Sequence, residues 1–275
     1  MKLYESLVNQ TYKNFEWLIV DDGSTDDTQN IVNDWIKEGE IPIRYYKQEN
    51  GGKHRAINKG LDVAQGELFF IVDSDDILPV NSLEIINNKV DAIFANNKIA
   101  GVVGRKAYFN GKKVGTTEFF EDKISNALDI RFKHHLKGDL AEVFKLDILK
   151  EYLFPSFEKE RFCPEALVWN RIAEKYEMLY FDQIVYKCEY LEDGLTSKIT
   201  KLRQQSPNSS MLYYSELEKY NIPLIQKIKA NINFWRFSFA SPNSIIQNLQ
   251  RVSVILSIIG LPIGFVMAIN DKRKI

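Results

Sequence analysis

The hydrophobic and polar positions of the first 76 residues follow two periods in turn. Short apolar runs typical of buried strands cover 16–20, 43–46 and 68–72. Apolar positions three or four residues apart predict helices over 2–10, 25–37 and 54–64. Strands that alternate with helices at this spacing favour an α/β fold with a doubly wound, mostly parallel sheet flanked by helices.

Two of the predicted strands end in acidic clusters. Asp21 and Asp22 follow the first apolar run, and Asp73, Asp75 and Asp76 follow the third. Ligands of such sheets bind at the carboxyl ends of the strands, and close carboxylates repel one another unless a cation offsets their charge. Oxygen ligands suit Mg²⁺ or Mn²⁺, which commonly bridge to substrate phosphates. The same residues are frequent turn formers and helix caps, so a purely structural role is the alternative.

Three segments of the chain resemble family 2 glycosyltransferases of the GT-A fold. They are SLVNQTYKNFEWLIVDDGSTDDT at 6–28, ENGGKHRAINKGLDVAQGE at 49–67 and LFFIVDSDD at 68–76. The resemblance covers about the first 195 residues and is thin after Asp76. It implies a GT-A-type sheet, a nucleotide-diphosphate sugar donor, a divalent metal, and transfer of a hexose-like sugar to an acceptor hydroxyl with inversion.

The resemblance also implies roles for the acidic residues. Asp21 and Asp22 would hold the nucleoside end of the donor. Asp73 and Asp75 match the DXD motif, so Asp73 would lie by the ribose or the metal and Asp75 would ligate the metal that clamps the diphosphate. A cation there stabilises the charge that develops on the nucleoside diphosphate leaving group.

Lys53 and His54 follow two glycines at the predicted start of a helix. A helix N-terminus with a lysine attracts anions, so both residues are predicted to bind the donor diphosphate. The alternative is an exposed first turn without a ligand. Many relatives carry an arginine directly before Asn58, where this chain has Ile57, and Lys53, His54 and Arg55 are the candidates for the replacement charge.

An inverting transfer needs a base that accepts the proton of the acceptor hydroxyl. In the family this base is an acid at the start of a late helix, and 161–173 resembles that helix, which implies Glu165 as the catalytic base. Pro164 stands where relatives often show a second acid. A first-turn acid also interacts favourably with the helix dipole, which is the structural alternative for Glu165. Asp139 is a second acid expected to contact the donor sugar or the acceptor.

Charge and hydropathy separate a predicted catalytic domain at 1–195 from a basic helical tail at 196–275. From Lys201 onward, ten basic and three acidic residues give a net charge of +7, although the whole chain carries -1. An uncharged apolar run at 252–269 would reach about 27 Å as a helix, a little short of a bilayer core. We predict that this segment lies at an anionic membrane surface, with a buried core helix as the alternative.

Family members begin with a strand and a nucleotide-binding loop ahead of the first helix, whereas this sequence starts inside that helix. A missing central strand would leave backbone groups of its neighbours unpaired. We therefore expect Met1 to be an internal methionine or a misassigned start, and the full protein to carry roughly 20 to 30 more residues. The alternative is a truncated chain with weak donor binding or none.

The composition of the chain excludes some of the remaining classes of protein. The near-neutral charge argues against a dedicated nucleic-acid binder. Two cysteines, Cys163 and Cys188, are too few for a disulfide framework, and with no secretory pattern at the N-terminus a cytoplasmic enzyme at the inner face of the membrane is favoured. Family analogy suggests cell-surface polysaccharide or glycolipid synthesis with a glycan or lipid-linked acceptor. A sugar nucleotidyltransferase and an inactive membrane-associated partner protein are the alternatives.

Overall fold

The computed structural model of the protein describes residues 1–189 and 198–273. The chain divides into two compact units. The first unit consists of Met1–Asn50, Ala56–Leu153 and Arg171–Glu189. The second unit consists of Gly51–Arg55, Phe154–Asn170 and Tyr190–Ile275. The predicted domain boundary between 195 and 196 lies outside the described residues.

The described strands all belong to the first unit. They are β1 (Trp17–Asp21), β2 (Ile43–Lys47), β3 (Leu68–Phe70), β4 (Ile99–Tyr108), β5 (Lys123–Ser125), β6 (Leu140–Lys145) and β7 (Glu177–Cys188). β1 and β2 form one sheet, and the other strands form a second sheet in the order β3-β6-β4-β7-β5.

The described helices belong to both units. They are α1 (Lys2–Val8), α2 (Thr28–Glu38), α3 (Lys53–Val63), α4 (Ser82–Asn87), α5 (Val90–Phe94), α6 (Ala127–Phe132), α7 (Leu146–Lys150), α8 (Glu165–Ile172), α9 (Ile199–Gln205), α10 (Pro207–Lys219), α11 (Leu224–Ser238), α12 (Ile245–Leu249) and α13 (Val254–Lys272).

The α/β class is as predicted, but the sheet is not mostly parallel. β1 runs parallel to β2 and β4 runs parallel to β7, whereas the β3–β6, β6–β4 and β7–β5 pairs are antiparallel. A parallel pair needs a long crossover connection, usually a helix. The strand–helix alternation supplies such connections up to residue 76. After β4 the chain forms β5 and the short α6 instead, and β6 enters between β3 and β4 in the opposite direction.

β1 and β3 each pair along one edge in the described chain. β1 pairs with β2, and β3 pairs with β6. Both strands were expected to be buried, but all side chains of β3 and the four apolar ones of β1 are only half-buried. An apolar run is fully buried only where neighbouring elements cover it on every side, and among the described residues each of these strands has no paired strand on one edge. The extra central strand expected from the resemblance is not among the described residues.

Helices nevertheless cover both of these strands. On one face, Tyr4 of α1 and Trp35 of α2 stack with ring centroids 4.6 Å apart, and Trp17 of β1 lies 5.6 Å from Trp35. On α3, a Cβ atom added to Gly60 would lie 3.2 Å from Phe69 and 3.8 Å from a Leu18 methyl carbon. α3 therefore packs closely over both β1 and β3.

The second unit contains a helical core built from α10, α11 and α13. Its fully or largely buried apolar side chains are Met211, Phe234, Trp235 and Val252. The buried Glu218 carboxylate accepts hydrogen bonds from the Asn231 side chain (2.7 Å) and from the Ser253 backbone N–H (2.6 Å). This pair of bonds fixes the start of α13 against α10 and α11.

The face of α13 that packs on this core is made of small residues. Ser257, Gly260, Gly264 and Ala268 are buried, and their spacing of three or four residues forms one stripe along the helix. A Cβ atom on Gly264 would lie 2.7 Å from the Trp235 Cβ atom. Glycine at this position therefore lets α13 approach α11 more closely than a larger residue would allow.

The large apolar side chains of α13 point away from that core. Ile255 and Ile258 are 77% and 74% exposed. Within the described residues, α13 is the one helix long and apolar enough to cross a membrane, and 22% of its most apolar window is buried. This exposure contradicts the core-helix alternative for 252–269.

Candidate active site

Asp21 ends β1 and is almost fully buried. One of its carboxylate oxygens accepts the Ser24 backbone N–H at 2.7 Å, and the other accepts the Tyr45 hydroxyl and lies 3.9 Å from the Lys47 ammonium. Burial raises the pKa of Asp21, but the hydrogen bonds from Tyr45 and Ser24 outweigh burial and hold the pKa below its usual value. Asp21 is thus an ionised anchor of the turn that follows β1.

Asp22 is more accessible than Asp21. It is half-buried, and its carboxylate accepts the Gln48 side-chain amide at 2.7 Å. Gly23 follows with φ +85°, and a Cβ atom there would lie 2.7 Å from the Asn50 backbone nitrogen. The turn after β1 therefore depends on glycine and presents Asp22, rather than Asp21, toward solvent.

A tight turn holds the second acidic cluster. The Asp76 backbone N–H donates to the Asp73 carbonyl at 3.2 Å, which closes the turn from Asp73 to Asp76. Asp75 is exposed, Asp73 is half-buried and Asp76 is buried. The two residues of the predicted DXD motif are therefore the accessible acids of this turn, and the third acid points inward.

Tyr186 of β7 lies against this turn. Its hydroxyl donates to the Asp76 carboxylate at 2.7 Å and accepts the Asp73 backbone N–H at 2.9 Å. Burial raises the pKa of Asp76, as do the neighbouring charges of Asp75 and Asp73, while the Tyr186 bond lowers it. Burial also raises the pKa of Tyr186, so its hydroxyl keeps its proton over the physiological range.

Asp139 shares the electrostatic environment of the turn. It is exposed and directly precedes β6. Burial, followed by the charges of Asp76, Asp139 and Asp73, raises the pKa of Cys188 to about 11. Since all three carboxylates act on one thiol, the structure brings Asp139 into the neighbourhood of the predicted DXD residues.

Lys53 and Glu165 meet in the second unit. Each is the first residue of its helix, Lys53 of α3 and Glu165 of α8. The Lys53 ammonium lies 2.9 Å from the Glu165 carboxylate, and the two side chains are 40% and 37% exposed. The predicted diphosphate ligand and the predicted base therefore form an accessible ion pair.

The candidates for the replacement charge differ in accessibility. His54 is 2% exposed, and Ile57, which takes the place of the family arginine, is also buried. The Arg55 guanidinium donates to the Phe157 carbonyl at 2.7 Å. Lys53 is therefore the exposed cation at the start of α3.

The acids of the turn after β3 suit a divalent ion that binds together with a nucleotide. Among the described residues, no group of three His, Cys, Asp or Glu side chains is arranged to hold a metal. Mg²⁺ is commonly bound by one or two carboxylates plus substrate phosphates. The accessible pair of Asp73 and Asp75 fits this arrangement.

Sequence reasoning did not identify Tyr186, Asp76 or Tyr45 as parts of the site. Tyr186 and Tyr45 lie within apolar strand patterns that indicate core positions, and both contact acids that are distant in sequence. The signal that was available is the third acid in the run Asp73 to Asp76, since a carboxylate that is not a ligand needs a donor when it is buried.

Acidic turns at the carboxyl ends of β1 and β3 of an α/β fold define a protein of the GT-A class. The model of the Glycosyl transferase family 2 matches residues 2–151, more than half of the chain. The chain belongs to this family.

Several bacterial proteins are similar in sequence. Glycosyltransferase GlyG of Streptococcus pneumoniae is 42% identical over 158 residues, which cover 54% of this chain and 52% of that protein. The GalNAc(5)-diNAcBac-PP-undecaprenol beta-1,3-glucosyltransferase of Campylobacter jejuni is 28% identical over 224 residues, 79% of this chain and 67% of that protein. The minor teichoic acid biosynthesis protein GgaB of Bacillus subtilis is 27% identical over 77% of this chain and 24% of its own length. The chain thus spans about half the length of the first relative.

Solved structures share the fold. TarS of S. aureus in complex with UDP-GlcNAc superposes with a TM-score of 0.65 over 98% of this chain and 84% of that chain, at 18% identity. The same protein in complex with UDP gives a TM-score of 0.62 over 99% of this chain and 84% of that chain. These likenesses confirm the predicted GT-A-type architecture.

Proposed function

We propose that the chain is an inverting, hexosyltransferase-like glycosyltransferase that moves a sugar from a nucleotide-diphosphate sugar to an acceptor hydroxyl. The observation that carries the proposal is the turn from Asp73 to Asp76, which presents two carboxylates at the carboxyl end of β3. The family of the chain and the UDP and UDP-GlcNAc complexes of TarS support a nucleotide-sugar donor.

In this proposal, the donor is bound by residues of the two acidic turns and by Lys53. Asp22, held by its bond to Gln48, contacts the nucleoside, and the buried Asp21 keeps the turn after β1 in shape. Mg²⁺ or Mn²⁺ held by Asp73 and Asp75 would neutralise charge on the diphosphate. Lys53 is a second source of positive charge for the diphosphate, and the burial of His54 favours a supporting role for that residue.

In the transfer step, the acceptor oxygen forms a bond to the anomeric carbon as the bond from that carbon to the diphosphate oxygen breaks. The acceptor proton passes to the Glu165 carboxylate, and the nucleoside diphosphate leaves with the bonding electron pair. Inversion follows from attack on the face opposite the leaving group. Asp139 is exposed, and its charge acts on the same Cys188 thiol as the charges of Asp73 and Asp76. We propose that Asp139 contacts the donor sugar.

The acceptor is proposed to be a glycan or a lipid-linked saccharide of the cell surface. The Campylobacter relative acts on an undecaprenol-linked saccharide by its name, and GgaB is named for teichoic acid synthesis. These two names support a role of the chain in cell-surface polysaccharide or glycolipid synthesis.

A panel of nucleoside diphosphates with and without Mn²⁺ tests the donor site through the thermal stability of the whole chain. We expect one nucleotide to raise the melting temperature only when Mn²⁺ is present. At a concentration 100 times its Kd a ligand stabilises the folded state by about 2.7 kcal/mol, which corresponds to a shift of roughly 5–10 °C.

The sugar form of the selected nucleotide then identifies the reaction. Release of the nucleoside diphosphate together with a glycosylated acceptor supports transfer, whereas release of pyrophosphate identifies a nucleotidyltransferase. A sample that melts cooperatively and responds to no nucleotide contradicts the proposed function.

We further propose that the second unit binds an anionic membrane surface at the cytoplasmic side. The exposed apolar side chains of α12 and α13 include Ile246, Ile255 and Ile258, at 72%, 77% and 74% exposure. Exposed basic residues, Lys272 and Arg273, stand at the end of α13. Apolar side chains beside basic ones are typical of helices that lie in the lipid headgroup region.

The packing of α13 favours lying on the membrane over crossing it. α11 packs beside α13 as far as the ion pair between Arg236 and Asp271, whose atoms approach to 2.6 Å. α11 also carries Lys227, Lys229 and Asn233. Charged groups are costly in the hydrocarbon core, so the attached α11 supports an interfacial position of α13 over a membrane span.

Sedimentation with phosphatidylcholine vesicles, with and without phosphatidylglycerol, tests this surface. We expect the chain to bind the anionic vesicles, and the Ile255→Ser/Ile258→Ser variant to bind at least about tenfold more weakly. Burying one isoleucine contributes about 1.5–3 kcal/mol, and 1.4 kcal/mol is a factor of ten. Phe119→Ser, at a 76% exposed site of the first unit, is the matched control. Binding that the double variant leaves unchanged contradicts the proposal.

A further inference from the structure

One phenol contacts both ends of the turn that carries the DXD residues. The Tyr186 hydroxyl accepts the Asp73 backbone N–H at 2.9 Å and donates to the Asp76 carboxylate at 2.7 Å. The turn between these two residues is closed by the bond from the Asp76 N–H to the Asp73 carbonyl. Three hydrogen bonds therefore fix a four-residue segment whose exposed acid is Asp75.

The ring of Tyr186 is itself held in place. It is 0% exposed, and the Phe70 ring of β3 meets it edge-on with centroids 6.0 Å apart. Lys106 is its neighbour across the β4–β7 ladder, with the ammonium 4.0 Å from the ring centroid. Just beyond the turn, Ile77 and Lys187 exchange two backbone hydrogen bonds of 3.0 and 2.9 Å. The phenol oxygen thus occupies a fixed position at the end of β7.

We infer that Tyr186 is a positioning residue that sets the spacing of the Asp73 and Asp75 carboxylates for a divalent cation. This inference rests on the proposed function of those two acids. Asp76, in turn, is the acceptor that anchors the turn through Tyr186, and it is not a metal ligand. Side chains that orient metal ligands typically contribute a factor of 10–100 to metal affinity.

Tyr186→Phe isolates the hydrogen bonds from the packing, because phenylalanine retains the contacts with Phe70 and Lys106. We expect the Kd for Mn²⁺, measured on the full chain alone and with UDP, to rise about 10–100-fold. Tyr180→Phe makes the same chemical change at a buried tyrosine on the same strand and should leave the Kd within about twofold.

Two substitutions of Asp76 separate anchoring from ligation. Asp76→Asn keeps an acceptor for the Tyr186 hydroxyl and should keep Mn²⁺ affinity close to that of the wild type. Asp76→Ala removes the acceptor and should weaken Mn²⁺ binding in the same direction as Tyr186→Phe. The alanine variant also keeps the test available if Tyr186→Phe does not fold.

Unchanged Mn²⁺ affinity in Tyr186→Phe and Asp76→Ala, from samples that melt cooperatively, overturns the positioning role. So does an Asp76→Asn variant that binds Mn²⁺ as weakly as Asp75→Ala, since Asp76 would then be a ligand. If Asp75→Ala loses Mn²⁺ while Tyr186→Phe does not, only the positioning role fails. If Asp75→Ala binds Mn²⁺ like the wild type, the metal site itself is wrong.

Discussion

Asp75→Ala is expected to lower the rate of sugar transfer by about 10²–10³-fold, the cost typical of losing one preorganised source of transition-state stabilisation. Asp75 is the exposed acid of the turn after β3, and its removal takes one of two carboxylates from the proposed cation site. The loss should appear in kcat and in the Mn²⁺ concentration needed for half-maximal rate. Initial rates over a Mn²⁺ series measure both quantities.

The fold should survive this substitution. The hydrogen bonds that close and anchor the turn belong to Asp73, Asp76 and Tyr186, so Asp75→Ala should change the free energy of unfolding by no more than about 0.5 kcal/mol. Asp62→Ala, at a 73% exposed side chain on α3, is the matched control and should transfer at the wild-type rate. A wild-type rate and a wild-type Mn²⁺ dependence in Asp75→Ala would contradict the cation site and would leave the acids after β3 with a purely structural role in the turn.

Local patterns predicted the elements of the first 76 residues closely, because each depends on a few neighbouring side chains. The predicted helix at 25–37 is α2 at Thr28–Glu38. Its start is displaced because the Asp26 carboxylate accepts both the backbone N–H and the hydroxyl of Thr28, which keeps this segment out of the helix. The direction of β6 depends on pairing with β3 and β4, strands far away in sequence, and no local pattern encodes that pairing.

Burial was harder to predict than element type. The apolar runs of β1 and β3 predicted full burial, but burial also requires a partner on each edge, which the runs do not reveal. His54 shows the opposite case. It shares a helix face with Ile57 and Leu61, at spacings of three and four residues, and all three are buried. That periodicity was present in the sequence and favours burial over a ligand at the surface.

The acids of the site were predictable from their position after two strands, whereas the residues that support them were not. Asp73 and Asp75 lie in a motif whose members are adjacent in sequence. Tyr186 reaches the same turn from 110 residues beyond Asp76, so its role depends on how β7 pairs in the sheet. A positioning contact of this kind becomes visible only when the tertiary structure brings the two segments together.

Glu165→Gln is expected to lower kcat for transfer by about 10²–10⁴-fold, the range attributed to a general base. The amide has the same shape as the carboxylate, and its oxygen can still accept a hydrogen bond from Lys53, which lies 2.9 Å away. Donor binding should therefore change little, and the loss should fall on kcat. Single-turnover transfer and a separate donor titration measure the two effects independently.

Glu158→Gln is the matched control for this base, because Glu158 belongs to the same unit and its side chain is 90% exposed. The structural alternative predicts a different result for Glu165→Gln. If the acid serves only the dipole of α8, its neutralisation costs about 0.3–1 kcal/mol of stability and leaves the rate unchanged. Loss of the exposed ion pair adds no more than about 1 kcal/mol. A wild-type rate in Glu165→Gln would instead favour Asp139, an exposed acid in the neighbourhood of the DXD turn, as the base, and Asp139→Asn would then be the variant that loses transfer.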